Sequence, residues 1–96
     1  MKALKLMADY HCHPLWEDGG DIVGNVDPAS LPISEDLIRR LNSWSAKFDA
    51  TLDLSDPTNS GFASEALASA FVGEGLALCR ALQAELGDGY LVRYQT

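Results

Sequence analysis

The sequence predicts an α+β fold: a two-layer sandwich in the order β-loop-α-α-β, with a small sheet of the N- and C-terminal strands packed on two antiparallel helices. Three observations predict it. Residues Leu4 to Pro14 alternate with period two, two later stretches carry apolar residues at helical spacing, and Tyr90 to Gln95 alternates again after a Gly-Asp-Gly turn. The chain has 96 residues, 47% of them apolar and 22% charged, which suits one folded domain over residues 1–96 and not a disordered chain. A domain this small has little material for an enclosed active-site cavity.

In the first stretch Leu4, Leu6, Ala8, Tyr10 and Cys12 fall on one side, and Lys5, Met7, Asp9, His11 and His13 on the other. That pattern predicts a half-buried strand, ended by Pro14, with Cys12 on the core side as an inert thiol. Leu15 to Ile33 shows no helical period. Its turn formers Gly19-Gly20, Gly24-Asn25, Asp27-Pro28 and Pro32 alternate with apolar residues, which predicts a long loop packed by its own side chains.

Ser34 is the expected N-cap of the first helix, with Glu35 and Asp36 placed well against its dipole. Leu37, Leu41, Trp44, Phe48 and Leu52 form its apolar stripe, and Arg39, Ser43 and Lys47 lie outside it. Asp53 to Phe62 reads as a loop. Ser64 and Glu65 start the second helix, which ends at Gly87 and presents Leu67, Ala70, Phe71, Leu78, Ala81, Leu82 and Leu86. Tyr90, Val92 and Tyr94 share one face of the closing strand. The chain leaves open whether the two terminal strands pair parallel or antiparallel.

The net charge is −7 and unevenly spread: Asp9 to Asp36 holds seven acids and Asp49 to Glu74 five, neither with any Lys or Arg. Nucleic acid and membrane are therefore not expected partners, since their phosphates would be repelled. A basic protein is the electrostatic complement. The N-terminus lacks the apolar run and cleavage site of a signal peptide, no stretch is long enough to span a bilayer, and two distant cysteines make no disulfide framework, so a cytoplasmic location is expected.

Asp9, His11 and His13 on one strand face are candidate metal ligands, because alternate strand residues can hold one Zn²⁺, with Glu17 or Asp18 as a further ligand. The motif is short and no second Cys or His pair completes it, so an exposed face whose histidines bond nearby carboxylates is the preferred reading, and no cofactor is expected. Cys12 cannot join His11, His13 and Asp9 in a catalytic triad, because strand alternation turns it away from both histidines. No other nucleophile and base stand together, so no catalytic residue is assigned. Within the second helix, Val72-Gly-Glu-Gly75 puts Glu74 on the apolar stripe between two glycines. The expectation is a mostly buried Glu74 bonded to a donor outside its own turn, with Arg39, Arg40, Tyr10 and the loop after Pro14 as candidates.

The phrases ADYHCHPLW, VGNVDPASLP, DATLDLSDP and SGFASE resemble a group of small acidic bacterial proteins to which no enzymatic activity is attached. In size, acidity and lack of a catalytic constellation the chain also resembles the immunity proteins of bacterial toxin–immunity systems, including contact-dependent growth inhibition. That resemblance implies a non-enzymatic binding protein whose partner is a cognate toxin, a basic nuclease being one example. Charge and loop placement make Trp16, Glu17, Asp18, Asp21, Asp27, Asp49, Asp53 and Asp56 the candidate binding residues. A metal protein centred on Asp9, His11 and His13 is one alternative. A homodimer joined through the free edge of the small sheet is the other.

Overall fold

A computed structural model describes residues 2–18, 24–51, 61–62 and 64–95. The described residues form four strands and two long helices: β1 (Lys2–Leu6), β2 (Leu15–Glu17), β3 (Asn25–Val26), α1 (Glu35–Asp49), α2 (Glu65–Leu86) and β4 (Tyr90–Tyr94). The sheet has the order β3-β2-β1-β4. β1 pairs antiparallel with β2, β2 pairs antiparallel with β3, and β1 pairs parallel with β4 over Lys2↔Tyr90 to Leu6↔Tyr94. The terminal strands are thus adjacent, as expected, and parallel.

The expected strand from Leu4 to Pro14 is corrected. β1 starts two residues earlier and stops at Leu6, after which the chain reverses. Met7 N–H donates to Pro14 O at 3.0 Å, Cys12 N–H donates to Asp9 O at 3.4 Å, and His11 takes φ +61°, a left-handed conformation incompatible with a strand. The alternation of residues 7–13 is therefore a coincidence of composition inside a turn. The loop predicted after Pro14 contains β2 and β3, so the sheet has four strands where two were expected. Asn25 holds these short strands in place of a long ladder: its side-chain amide donates to the carbonyls of His13 and Leu15 and accepts from His13 N–H.

Both helices begin as their caps dictate. Ser34 Oγ accepts from Leu37 N–H and Ser64 Oγ from Leu67 N–H. At the other end, Gly87 closes α2 at φ +74°, where a side chain would be strained. Ser34, at the start of α1, donates through N–H and Oγ to Glu85 near the end of α2, while Lys47, near the end of α1, reaches Glu74. The helices therefore run antiparallel.

The core lies between this helical layer and one face of the sheet. Leu6 and Leu15 meet Leu37, Leu41 and Trp44 of α1 and Phe71, Leu78 and Leu82 of α2. Trp44 stacks on Phe71 with ring centroids 4.4 Å apart and meets Tyr94 edge-on. Gly75 sits directly over this group. A Cβ there would lie 2.8 Å from Trp44 Cζ2 and 2.8 Å from Tyr94 Cε2, so only glycine lets α2 approach this closely. Leu67 and Ala70, expected on the apolar face, are exposed, because the buried line of α2 runs through Phe71, Gly75, Leu78 and Leu82. Leu52 lies outside the described residues.

β4 is an edge strand, and its outer side is partly occupied from within. Gln83 of α2 donates to Tyr90 O at 2.8 Å and accepts from Val92 N–H at 2.9 Å, imitating the groups a neighbouring strand would offer. That stretch of edge is closed to pairing with a second copy while Gln83 holds it.

Candidate binding surface

The loop of residues 7–14 is tied down on both flanks. His11 N–H donates to Asp49 Oδ1 at 3.0 Å, Ser45 Oγ donates to Cys12 O, and Tyr10 stacks on Phe48 while its hydroxyl meets Thr51 Oγ1. On the other flank, Asn25 clamps His13. These bonds join the C-terminal end of α1, the β1–β2 turn and the end of β3 into one end of the molecule. Asp27 follows β3 directly and caps a single 3-10 turn by accepting from Ala29 N–H.

Asp9, Asp27 and Asp49 are thus gathered at this loop end, and each carboxylate accepts from a backbone amide, Tyr10, Ala29 and His11 respectively. An amide orients a carboxylate without cancelling its charge. Three other acids are paired with cations instead: Asp18 with Arg93, Asp36 with Arg39, and Glu74 with Lys47. The loop end thus gathers three carboxylates that are held by amides and bonded to no cation among the described residues.

Glu17 and Asp18 lie elsewhere. Register puts Glu17 opposite Leu4, and Asp18 N–H donates to Ala3 O, so both stand at the end of the sheet where β1 begins. The Arg93 guanidinium bonded to Asp18 holds its carboxyl below the ordinary carboxylate range, and nearby Lys5 adds to the effect. Trp16 is half-buried, and its indole N–H donates to Met7 O at 3.0 Å. It pairs in register with Lys5, which pairs with Arg93. Since Leu4, Leu6 and Leu15 face the helices, this row faces away from them. Asp21, Asp53 and Asp56 lie outside the described residues. The expected binding set is thus divided between the two ends of the sheet, with Asp27 and Asp49 at one and Glu17 and Asp18 at the other.

Asp9, His11 and His13 do not share a strand face, since the turn at His11 breaks the alternation that aligned them. Among the described residues no three His, Cys, Asp or Glu side chains stand close enough to hold a metal ion. Cys12 is half-buried in the same turn, while burial raises the pKa of the Cys79 thiol. Glu74 bonds to a donor outside its helix, but to Lys47, at 2.9 and 3.1 Å, and not to the donors expected. Its side chain is 37% exposed, so it is not a core carboxylate. Gly75 and not Glu74 occupies the centre of the buried line, which turns Glu74 to its flank. Arg93 escapes sequence reasoning because it meets Asp18 across 75 positions of chain, with no local pattern to mark it.

Among the described residues no helix is long and apolar enough to cross a membrane. No curated protein matches the chain. A family model described as Serratia CdiI immunity protein-like matches residues 2–96, covering all four strands and both helices. The chain belongs to this immunity protein-like family.

Proposed function

We propose that this chain is a cytoplasmic immunity protein of a contact-dependent growth inhibition system, neutralising a basic toxin such as a nuclease by binding it. Family membership over residues 2–96 is the observation that carries this reading. It acts by occlusion and not by chemistry, with no cofactor. The loop end is the face we assign to the toxin, because the carboxylates of Asp9, Asp27 and Asp49 gather there on backbone amides, whereas Asp18, Asp36 and Glu74 are each bonded to a cation. In sequence Asp53 and Asp56 follow Asp49, whereas Asp21 follows Asp18. Complementary charge speeds encounter with a basic partner, and close packing at the centre of the contact then sets its lifetime.

Co-expression with the toxin encoded by the adjacent gene tests the proposal, scored by cell survival and co-purification. Survival with a stable complex is the expected result. A toxin that still kills in the presence of this protein, or that never co-purifies with it, refutes the reading.

A further inference from the structure

On one face of α1 the acidic chain reverses sign locally. Arg39, Arg40, Ser43 and Lys47 of α1 and Glu74 of α2 line an open groove of about 410 Å³ on the helical layer. Three of the seven Lys and Arg residues of the chain thus face one groove, against a single acid. Their spacing makes this a stripe: positions 39, 43 and 47 follow one another at four residues, and 40 lies three before 43. The stripe spans about 12 Å of helix at ~1.5 Å per residue. About four residues of extended chain cover the same length.

The cations are only loosely committed within the molecule. Arg39 pairs with Asp36 one turn back, where the two side chains are 78% and 71% exposed. Such a pair is worth little in water and exchanges readily for a better-placed carboxylate. Arg40 has no carboxylate partner among the described residues, and the guanidinium forks of Arg39 and Arg40, which both line the groove, suit planar, bidentate carboxylate recognition. The Lys47–Glu74 pair closes one end of the groove.

We infer that this groove takes a short acidic segment of a protein partner, its carboxylates lying along the Arg39–Lys47 stripe. A long polyanion is disfavoured, because beyond three cations it meets a chain of net charge −7. A basic protein that carries a few acids is drawn in by the net charge and finds a row of cations here to match them, which favours one orientation of docking. Where the partner is the toxin, the inference rests on the immunity reading above.

Hexaglutamate titrated into ¹⁵N-labelled protein is the direct probe, with hexathymidylate and inorganic phosphate as comparison anions. Saturable amide shifts confined to residues 39–47 and the neighbourhood of Glu74 are expected with hexaglutamate, and their loss in an Arg39→Glu, Arg40→Glu double variant. No localised shift, or an equal response to hexathymidylate or phosphate, overturns the inference. In a second arm the adjacent-gene toxin, silenced in its active site, is expected to bind the double variant about tenfold more weakly than the parent, with the melting curve of the variant unchanged. Equal toxin affinity for variant and parent overturns the assignment of the groove to the toxin. If the parent does not bind that toxin at all, the immunity reading fails, while hexaglutamate still decides the groove.

Discussion

The seam where α2 presses on the sheet and the loop end of that sheet follow opposite rules. At the seam every atom is constrained: Gly75 has no room for a methyl group between Trp44 and Tyr94, and Trp44 is closed off from solvent with its indole N–H on Phe71 O. At the loop end Asp9 and Asp27 are exposed, and among the described residues Asp9, Asp27 and Asp49 each accept from a backbone amide. One region specifies shape and tolerates no added volume. The other presents charge and tolerates isosteric change. The fold and the proposed recognition thus depend on separate sets of residues, and substitutions should register in one measurement or the other.

The largest expected effect tests the seam. Gly75→Ala should destabilise the protein by about 1–3 kcal/mol, because the added methyl group is forced against the fully buried ring of Trp44 as well as against half-buried Tyr94. Gly73, two residues earlier, has nothing within 4 Å of the equivalent position. Gly73→Ala should therefore stabilise by up to about 1 kcal/mol, through helix propensity alone. Urea denaturation midpoints check both. If the two variants move together, the seam is not the constrained region described here.

The next effect belongs to the loop end. Asp9→Asn, Asp27→Asn and Asp49→Asn together keep an acceptor oxygen for each amide but remove three charges. Association with the toxin should slow about tenfold at low salt, and the parent should slow likewise as salt rises, while the denaturation midpoint stays near that of the parent. Stopped-flow binding measures the rate. A large loss of stability with an unchanged association rate would reverse the roles given to the two regions.

How much of this was legible in the sequence depended on the length of each pattern. α1 announces itself through a capped stripe of Leu37, Leu41 and Trp44, all of which are buried, and β4 through the alternation of Tyr90, Val92 and Tyr94. β2 and β3 have three and two residues, too few for any periodicity to show, and are fixed by the Asn25 side chain. The turn at His11 was hidden because polar and apolar residues happened to continue the alternation of β1. Charge asymmetry pointed to acidic loops, but the sorting of acids into paired and unpaired depends on Arg93 and Lys47, which only the fold brings near Asp18 and Glu74. Glu74 shows the consequence for stability. Its pair with Lys47 is substantially exposed, so Glu74→Ala should cost less than about 1 kcal/mol, below the loss expected for Gly75→Ala. A loss equal to that of Gly75→Ala would mean that Glu74 belongs to the seam.

The smallest effect on stability is expected at Asp18, where the two regions can also be told apart by pH. The hydrogen bond from Arg93 lowers the Asp18 pKa from its ordinary 3.8, so the folded state holds this carboxyl ionised more firmly than the unfolded chain does. A lowered pKa in the folded state contributes stability above the unfolded-state value, and that contribution is lost as pH falls through the lower folded value. Both partners are reached by solvent, so the contribution at neutral pH is minor. Asp18→Asn should accordingly differ little from the parent at pH 7 and not at all in strong acid. Carboxyl ¹³C titration should show the Asp18 midpoint rising toward its ordinary value in Arg93→Gln. Because Arg93 already compensates Asp18, Asp18→Asn should leave the rate of toxin association close to that of the parent. If it slows association as much as the triple Asn variant does, the distinction between cation-paired Asp18 and the charged loop end collapses, and the toxin must be contacting both ends of the sheet.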